Sequence, residues 1–176
     1  ISQVILIVVG FFSQRVMNLR LGEELVGMNS VISNIIALLS VTELGVSVAV
    51  VFHLYRAIDA KDEPYIAALM NLYRKAYYAF AAIISLLGLI TLPFVHVFMR
   101  ENSFSLEYIR VIYMLWVFRT VVSYLWSYKR SILVADQKEY VVSIATLIAN
   151  ILNYSLIIVI VEITQNYILA LTLNII

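Results

Sequence analysis

The two charged residues best placed to do chemistry are Glu43 and Arg119, because each stands inside a long apolar run. An ionisable side chain in the middle of a membrane is costly, so it usually faces water, a partner charge or a substrate. Glu43 could titrate as a proton-coupling site, bind a cation or pair with a basic residue. Arg119 could hold a phosphate through two parallel hydrogen bonds or pair with Glu43. Arg15 is either a further cavity cation or an anchor at the membrane surface.

Uncharged polar residues accompany these charges with a helical period. At about 100° per residue, each of the first five predicted helices presents one polar face. A hydrated transport pathway would explain such faces, and so would helix packing, because Ser, Thr, Asn and Gly are common between membrane helices. The faces consist of Gln3, Gly10, Gln14 and Asn18; Asn29, Ser33, Ser40, Glu43 and Ser47; Asn71, Lys75, Tyr78, Ser85 and His96; Arg119, Ser123, Ser127 and Arg130; and Ser143, Thr146, Asn150, Asn153 and Tyr154.

From these faces and the charged residues Glu43, Arg119 and Arg15 we select the residues expected to line a substrate cavity. Glu43 is the candidate for ion coupling. The cavity candidates are Glu43, Arg119, Arg15, Gln14, Ser40, Ser47, Ser123, Asn150 and Asn153. We predict neither catalytic residues nor metal ligands.

The elements that must position these residues are long apolar helices. An apolar run of about 20 residues crosses the hydrocarbon core of a bilayer, and the chain has room for roughly five to six such runs. Pro64 after Asp62 and Glu63 is typical of a helix start, and Pro93 is expected to kink a helix or to mark its far end. The predicted helices cover residues 1–19, 28–58, 64–99, 105–134, 140–163 and 166–176, with a surface loop over 21–27. Because the first and last runs begin and end abruptly, we expect the chain to be truncated at both ends.

Lys and Arg predict the orientation of these helices. They accumulate on cytoplasmic sides of membrane proteins. The loops after the second and fourth helices, with their flanking turns, are the richer side, which places the start of the chain in the cytoplasm. The basic residues on that side are Arg56, Lys61, Arg74, Lys75, Lys129, Arg130 and Lys138; the opposite side has Arg20 and Arg100, with Arg15 and Arg110 nearby.

Composition restricts the class of protein. The chain is 63% hydrophobic and 13% charged, and its mean hydropathy is +0.96, whereas soluble domains are about half apolar and a quarter charged. The net charge of +1 and the absence of Cys give no sign of a nucleic-acid surface, a disulfide framework or a thiol nucleophile. His53 and His96 are too far apart in sequence to suggest a shared metal. No P-loop or nucleophile-elbow motif occurs, so we expect a non-enzymatic membrane protein.

Several stretches of the chain resemble one known family. Taken together, they are similar in order and spacing to the bacterial polysaccharide flippases, the Wzx-like transporters of O-antigen, capsule and teichoic acid. The resemblance extends over nearly the whole chain. It rests on residues 21–29 (LGEELVGMN), 39–45 (LSVTELG), 52–56 (FHLYR), 68–77 (ALMNLYRKAY) and 127–140 (SYKRSILVADQKEY).

The resemblance implies the fold of the multidrug/oligosaccharidyl-lipid/polysaccharide (MOP) exporters, as in MATE-type transporters, in which two helical lobes surround a cavity. This chain would be most of the N-terminal lobe, an all-α membrane bundle. Family members move an undecaprenyl-pyrophosphate-linked oligosaccharide through a cationic cavity, for which Arg119 and Arg15 are the candidates here. Many relatives have a basic residue where Gln14 falls, and in this chain the Arg stands one position later, about 100° around the helix.

The resulting prediction is a flippase of the bacterial cytoplasmic membrane that works by alternating access in cell-surface polysaccharide synthesis. The coupling ion, proton or sodium, stays open, and no other cofactor is expected. Expected partners are the lipid-linked oligosaccharide, membrane lipid and polysaccharide polymerases or glycosyltransferases, but no nucleic acid. Two alternatives remain: a drug or small-molecule exporter of the same fold, and a non-transporting scaffold of a polysaccharide assembly complex.

Overall fold

The computed structural model describes residues 2–40, 46–99, 104–164 and 166–173, and these are helical throughout apart from short turns. The predicted all-α class is therefore confirmed. The helices are α1 (Ser2–Leu21), α2 (Glu23–Leu39), α3 (Val46–Asp59), α4 (Glu63–Thr91), a 3₁₀ segment (Leu92–Met99), α5 (Leu106–Ala135), α6 (Glu139–Thr164) and α7 (Tyr167–Leu173).

Four of the described helices are long and apolar enough to cross a membrane. The spans are Val4–Leu21, Glu63–Phe98, Leu106–Ala135 and Glu139–Thr164. Many large apolar side chains on these helices are exposed, among them Phe11, Leu86 and Ile163. A surface of this kind is stable against lipid rather than water, so the structure is that of a helical membrane bundle.

The helix expected over 28–58 is described only on either side of residues 41–45. α2 has 17 residues and ends at Leu39, α3 has 14 residues and begins at Val46, and residues 41–45 lie outside the described part. The loop expected over 21–27 differs from that prediction, because α2 already begins at Glu23 and the break is confined to Gly22. Gly22 has φ +87° and ψ 158°, a backbone conformation that is essentially restricted to glycine.

Local sequence explains where α4 and α5 begin and how α4 ends. The Asp62 carboxylate accepts a hydrogen bond from the Tyr65 amide at 3.1 Å, and Ser105 caps α5 through the Tyr108 amide at 3.3 Å. Both caps satisfy donors that a helix start leaves free. Pro93 has no amide hydrogen, and there the α-helix gives way to the 3₁₀ segment from Leu92.

Two helix pairs organise the bundle. α4 and α5 form an antiparallel hairpin, since Thr91 contacts Tyr113 and the ring centroids of Tyr77 and Tyr124 lie 5.7 Å apart. α1 and α6 run parallel, because Gly10 approaches Tyr154 near the middle of the helices and Arg20 reaches Glu162 at their ends. The spanning windows of α1 and α6 are only 6% buried, against 22% and 28% for α4 and α5. The hairpin is thus the centre of the described bundle.

Candidate functional site

Five helices meet around Arg119 in the middle of α5. Side chains of α1, α2, α5, α6 and α7 enclose a cavity of about 310 Å³. It lies at the lower end of the range for small-molecule sites, about 300–1,000 Å³. Its polar lining consists of Ser13, Asn29, Trp116, Arg119, Asn150, Asn153, Tyr154 and Tyr167.

A hydrogen-bonded group fixes one wall of this cavity. The Trp116 indole nitrogen donates to the Asn29 amide oxygen at 2.8 Å, and Tyr167 lines the cavity together with both residues. The Arg119 guanidinium lies over the Trp116 ring, 5.4 Å from its centroid. Arg119 follows Trp116 by three positions, so both occupy one face of α5, and the ring offers the cation a favourable contact.

Arg119 is the only charged residue that lines this cavity among the described residues. The guanidinium is half-buried and forms no ion pair with any described side chain. The predicted alternative, a pair between Arg119 and Glu43, involves a residue outside the described part of the chain. A half-buried cation surrounded by amides and hydroxyls favours an anionic group in the adjoining space.

A further part of the cavity lining comes from α6 and α1. Asn150 and Asn153, both predicted as cavity residues, lie on one face of α6 because they are three positions apart. Ser13 of α1 is only 2% exposed, and its hydroxyl has no hydrogen-bond partner among the described residues. Each of these side chains can donate and accept hydrogen bonds, so together with Arg119 they suit an oxygen-rich anionic group.

The structure therefore brings three of the predicted residues, Arg119, Asn150 and Asn153, into one cavity. Sequence reasoning missed Ser13, Trp116 and Tyr167. Trp116 had a usable signal, because it lies one helical turn before Arg119 and its indole needs an acceptor when it is buried. Tyr167 had no such signal, since only the return of α7 onto α5 and α6 brings it to the cavity.

The other predicted residues lie elsewhere. Gln14 is exposed and lines a neighbouring cleft of about 150 Å³ with Asn29, and Arg15 is exposed outside the Arg119 cavity. The hydroxyls of Ser40 and Ser123 donate within their own helices, to Ile36 at 2.9 Å and Thr120 at 2.7 Å.

Two predicted residues cannot be placed around the cavity. Glu43 falls outside the described residues, and of Ser47 the structure describes the backbone of α3 but not the side chain. Comparisons of the chain with protein-family models, curated proteins and solved structures found no match.

Proposed function

We propose that the protein containing this chain is a membrane transporter that translocates an undecaprenyl-pyrophosphate-linked oligosaccharide by alternating access. The observation that carries the proposal is Arg119, half-buried in a polar cavity between membrane-type helices with no described ion-pair partner. A charge retained at such a depth is usually functional. The resemblance of the sequence to polysaccharide flippases supplies the substrate class.

The size of the cavity limits what it would hold. About 310 Å³ accommodates one charged group rather than an oligosaccharide chain. Arg119 would bind a phosphoryl oxygen or an acidic sugar, while Asn150 and Asn153 would donate to neighbouring oxygens. The isoprenoid tail would stay in the bilayer beside the exposed apolar faces of the helices.

Substitution of Arg119 tests this proposal. The gene product that contains this chain would be expressed in a strain whose own flippase is inactive, and export of cell-surface polysaccharide would be measured. Loss of a charged hydrogen bond costs about 1.5–3 kcal/mol, so Arg119→Ala should lower transport roughly 10-fold to 100-fold. Arg119→Lys should retain part of the activity, because it keeps the charge but loses the bidentate geometry.

The control for this experiment is Arg74→Ala, which removes an exposed cation whose hydrogen bond among the described residues goes to Asn71 on its own helix. Its transport should equal that of the parent. Normal transport by Arg119→Ala would contradict the proposal. Export of dyes without transport of lipid-linked sugar would favour a small-molecule exporter, and failure of the parent protein to rescue transport would favour a scaffold.

Glu43 remains the proposed coupling residue, on the grounds of its position inside an apolar run. A carboxyl group there would gain and lose a proton during the transport cycle. Glu43→Gln should therefore abolish the pH dependence of transport in proteoliposomes while the protein stays folded. If Glu43→Gln transports with the same pH profile as the parent, Glu43 is not the coupling residue.

A further inference from the structure

A second cavity lies between α3, α4 and α5 and shares no lining residue with the Arg119 cavity. It has a volume of about 540 Å³. Most of its wall is apolar or aromatic, including Val51, Phe52 and Val134, whereas Arg130 and Ser131 supply polar groups. We propose that this groove binds one anionic phospholipid, with the phosphate at Arg130 and an acyl chain along the apolar wall.

The shape of the groove fits an acyl chain that enters from the membrane surface. Arg130 lies five residues before the end of α5, about 8 Å below it at the helical rise. On α3, the lining reaches Val48, eleven residues and about 16 Å from the helix end at Asp59. The groove thus extends from the level of lipid headgroups into the hydrocarbon region.

Neighbouring residues on α5 mark the headgroup level independently. Trp126 is 63% exposed, and the Lys129 ammonium lies 4.4 Å from the centroid of its ring. An exposed Trp beside a cation is typical of the boundary between hydrocarbon and water. Arg130 therefore lies where a lipid phosphate would be found.

Two polar groups in the groove are available to a ligand. Arg130 is exposed and has no acidic partner among the described residues, and the next acid along the chain, Asp136, is paired with Lys138. The Ser131 side chain is only 6% exposed, and its hydroxyl has no hydrogen-bond partner among the described residues. A phosphate ester would satisfy both groups, because its oxygens accept from a guanidinium and a hydroxyl.

The charge of the surrounding end favours an anionic lipid over a zwitterionic one. This end has the larger share of Lys and Arg, which makes it the expected cytoplasmic side. Cytoplasmic leaflets are rich in anionic lipid, and basic pockets between helices bind such headgroups. The proposed ligand is therefore abundant where the groove opens.

Lipid titration tests the headgroup contact. The gene product that contains this chain would be purified in detergent, and binding of dioleoyl phosphatidylglycerol and dioleoyl phosphatidylcholine would be measured by native mass spectrometry. We expect phosphatidylglycerol to bind more tightly, and Arg130→Gln to weaken it roughly fivefold, as expected for the loss of one surface cation. Lys129→Gln is the matched control, since it removes the adjacent charge that stacks on Trp126 and should leave this binding unchanged.

A second measurement locates the acyl chain. Phe52→Trp places a fluorophore on the groove wall, and Phe118→Trp places one at an exposed site outside it. Both variants would be studied in phosphatidylcholine vesicles containing a minor fraction of phosphatidylglycerol brominated in its chains. The indole introduced by Phe52→Trp should be quenched more than the one introduced by Phe118→Trp, after subtraction of the signal of Trp116 and Trp126. Equal quenching of the two variants would overturn the proposal.

Three further results would also overturn it. Equal affinity for phosphatidylglycerol and phosphatidylcholine would show that the groove does not recognise the anionic headgroup. An equal effect of Lys129→Gln and Arg130→Gln would indicate a diffuse basic surface instead of a groove. Displacement of phosphatidylglycerol by undecaprenyl phosphate at equimolar concentration would make the occupant an isoprenoid lipid.

Discussion

At the residue scale, Gly88 and Val117 show how closely α4 and α5 approach each other. A Cβ atom at Gly88 would lie 2.7 Å from one methyl carbon of Val117 and 3.0 Å from the other. Real Cβ contacts are longer, and Val is held in few rotamers on a helix, so it cannot rotate away. The close approach of α4 and α5 at the centre of the bundle therefore requires glycine, a residue without a side chain, at position 88.

Gly88→Ala is expected to destabilise the protein by about 1–3 kcal/mol, the usual cost of overpacking. Thermal unfolding in detergent would measure it. Adding Val117→Ala should recover part of the loss, because it removes both clashing methyl groups. Gly27→Ala is the control, since nothing lies within 4 Å of its Cβ position and Ala favours a helix interior; equal destabilisation by Gly27→Ala would contradict a specific contact.

The single-residue break between α1 and α2 gives another residue-scale prediction. Gly22 adopts φ +87° and ψ 158°, which costs other residues about 1–3 kcal/mol. Gly22→Ala should therefore lower thermal stability by this amount although no atom lies near its Cβ position. A neutral result, compared with the same Gly27→Ala control, would mean that α1 and α2 reorient at no cost.

At the scale of elements, a salt bridge joins the parallel helices α1 and α6 at one end. Arg20 contacts the Glu162 carboxylate through two nitrogens, at 3.0 Å and 2.6 Å. The side chains are 50% and 40% exposed, so water screens the pair. Such pairs contribute little to stability but can select the alignment of two helices.

The charge swap Arg20→Glu with Glu162→Arg tests whether the pair aligns the helices. Each single substitution places like charges together, and we expect a loss of up to about 1 kcal/mol, whereas the double variant should regain most of it. Thermal unfolding of the four proteins gives the coupling energy. Additive effects would show that the ends of α1 and α6 do not interact.

At the scale of the whole molecule, the up-and-down order of the helices determines which helix ends lie on the same side of the membrane. The starts of α2 and α5 share one end of the bundle, and the starts of α4 and α6 share the other. These 176 residues include no Cys, so no native thiol within them would be labelled beside an introduced cysteine. Lys and Arg bias predicts that the second end faces the cytoplasm.

Cysteines at Glu23 and Glu107 should react with a membrane-impermeant maleimide in intact cells. Cysteines at Ala60 and Glu139 should react only after the membrane is permeabilised, because they lie at the basic end. These four residues are exposed in the structure. If the cysteines at Ala60 and Glu139 react in intact cells and those at Glu23 and Glu107 do not, the predicted orientation is inverted. If only one of Glu23 and Glu107, or only one of Ala60 and Glu139, is labelled in intact cells, the predicted number of membrane crossings is wrong.

Sequence alone predicted the helical class and the existence of the spanning helices, because apolar length is a local property that lipid selects directly. It also predicted that Arg119, Asn150 and Asn153 line a polar interior, since polar residues on an apolar helix are informative by type and period. It did not predict that the break after α1 is one glycine wide. That feature depends on backbone conformation, which hydropathy does not reveal.

Only the tertiary structure decided which polar faces meet. Ser13, Asn29, Trp116 and Tyr167 come from four helices and surround Arg119 because α1 packs on α6 and α7 returns onto α5 and α6. The same packing leaves Arg15 outside that cavity and sets Arg130 in a separate groove. A single helix specifies its own polar face, but the angle and neighbours of that face are set by side-chain packing between helices distant in sequence.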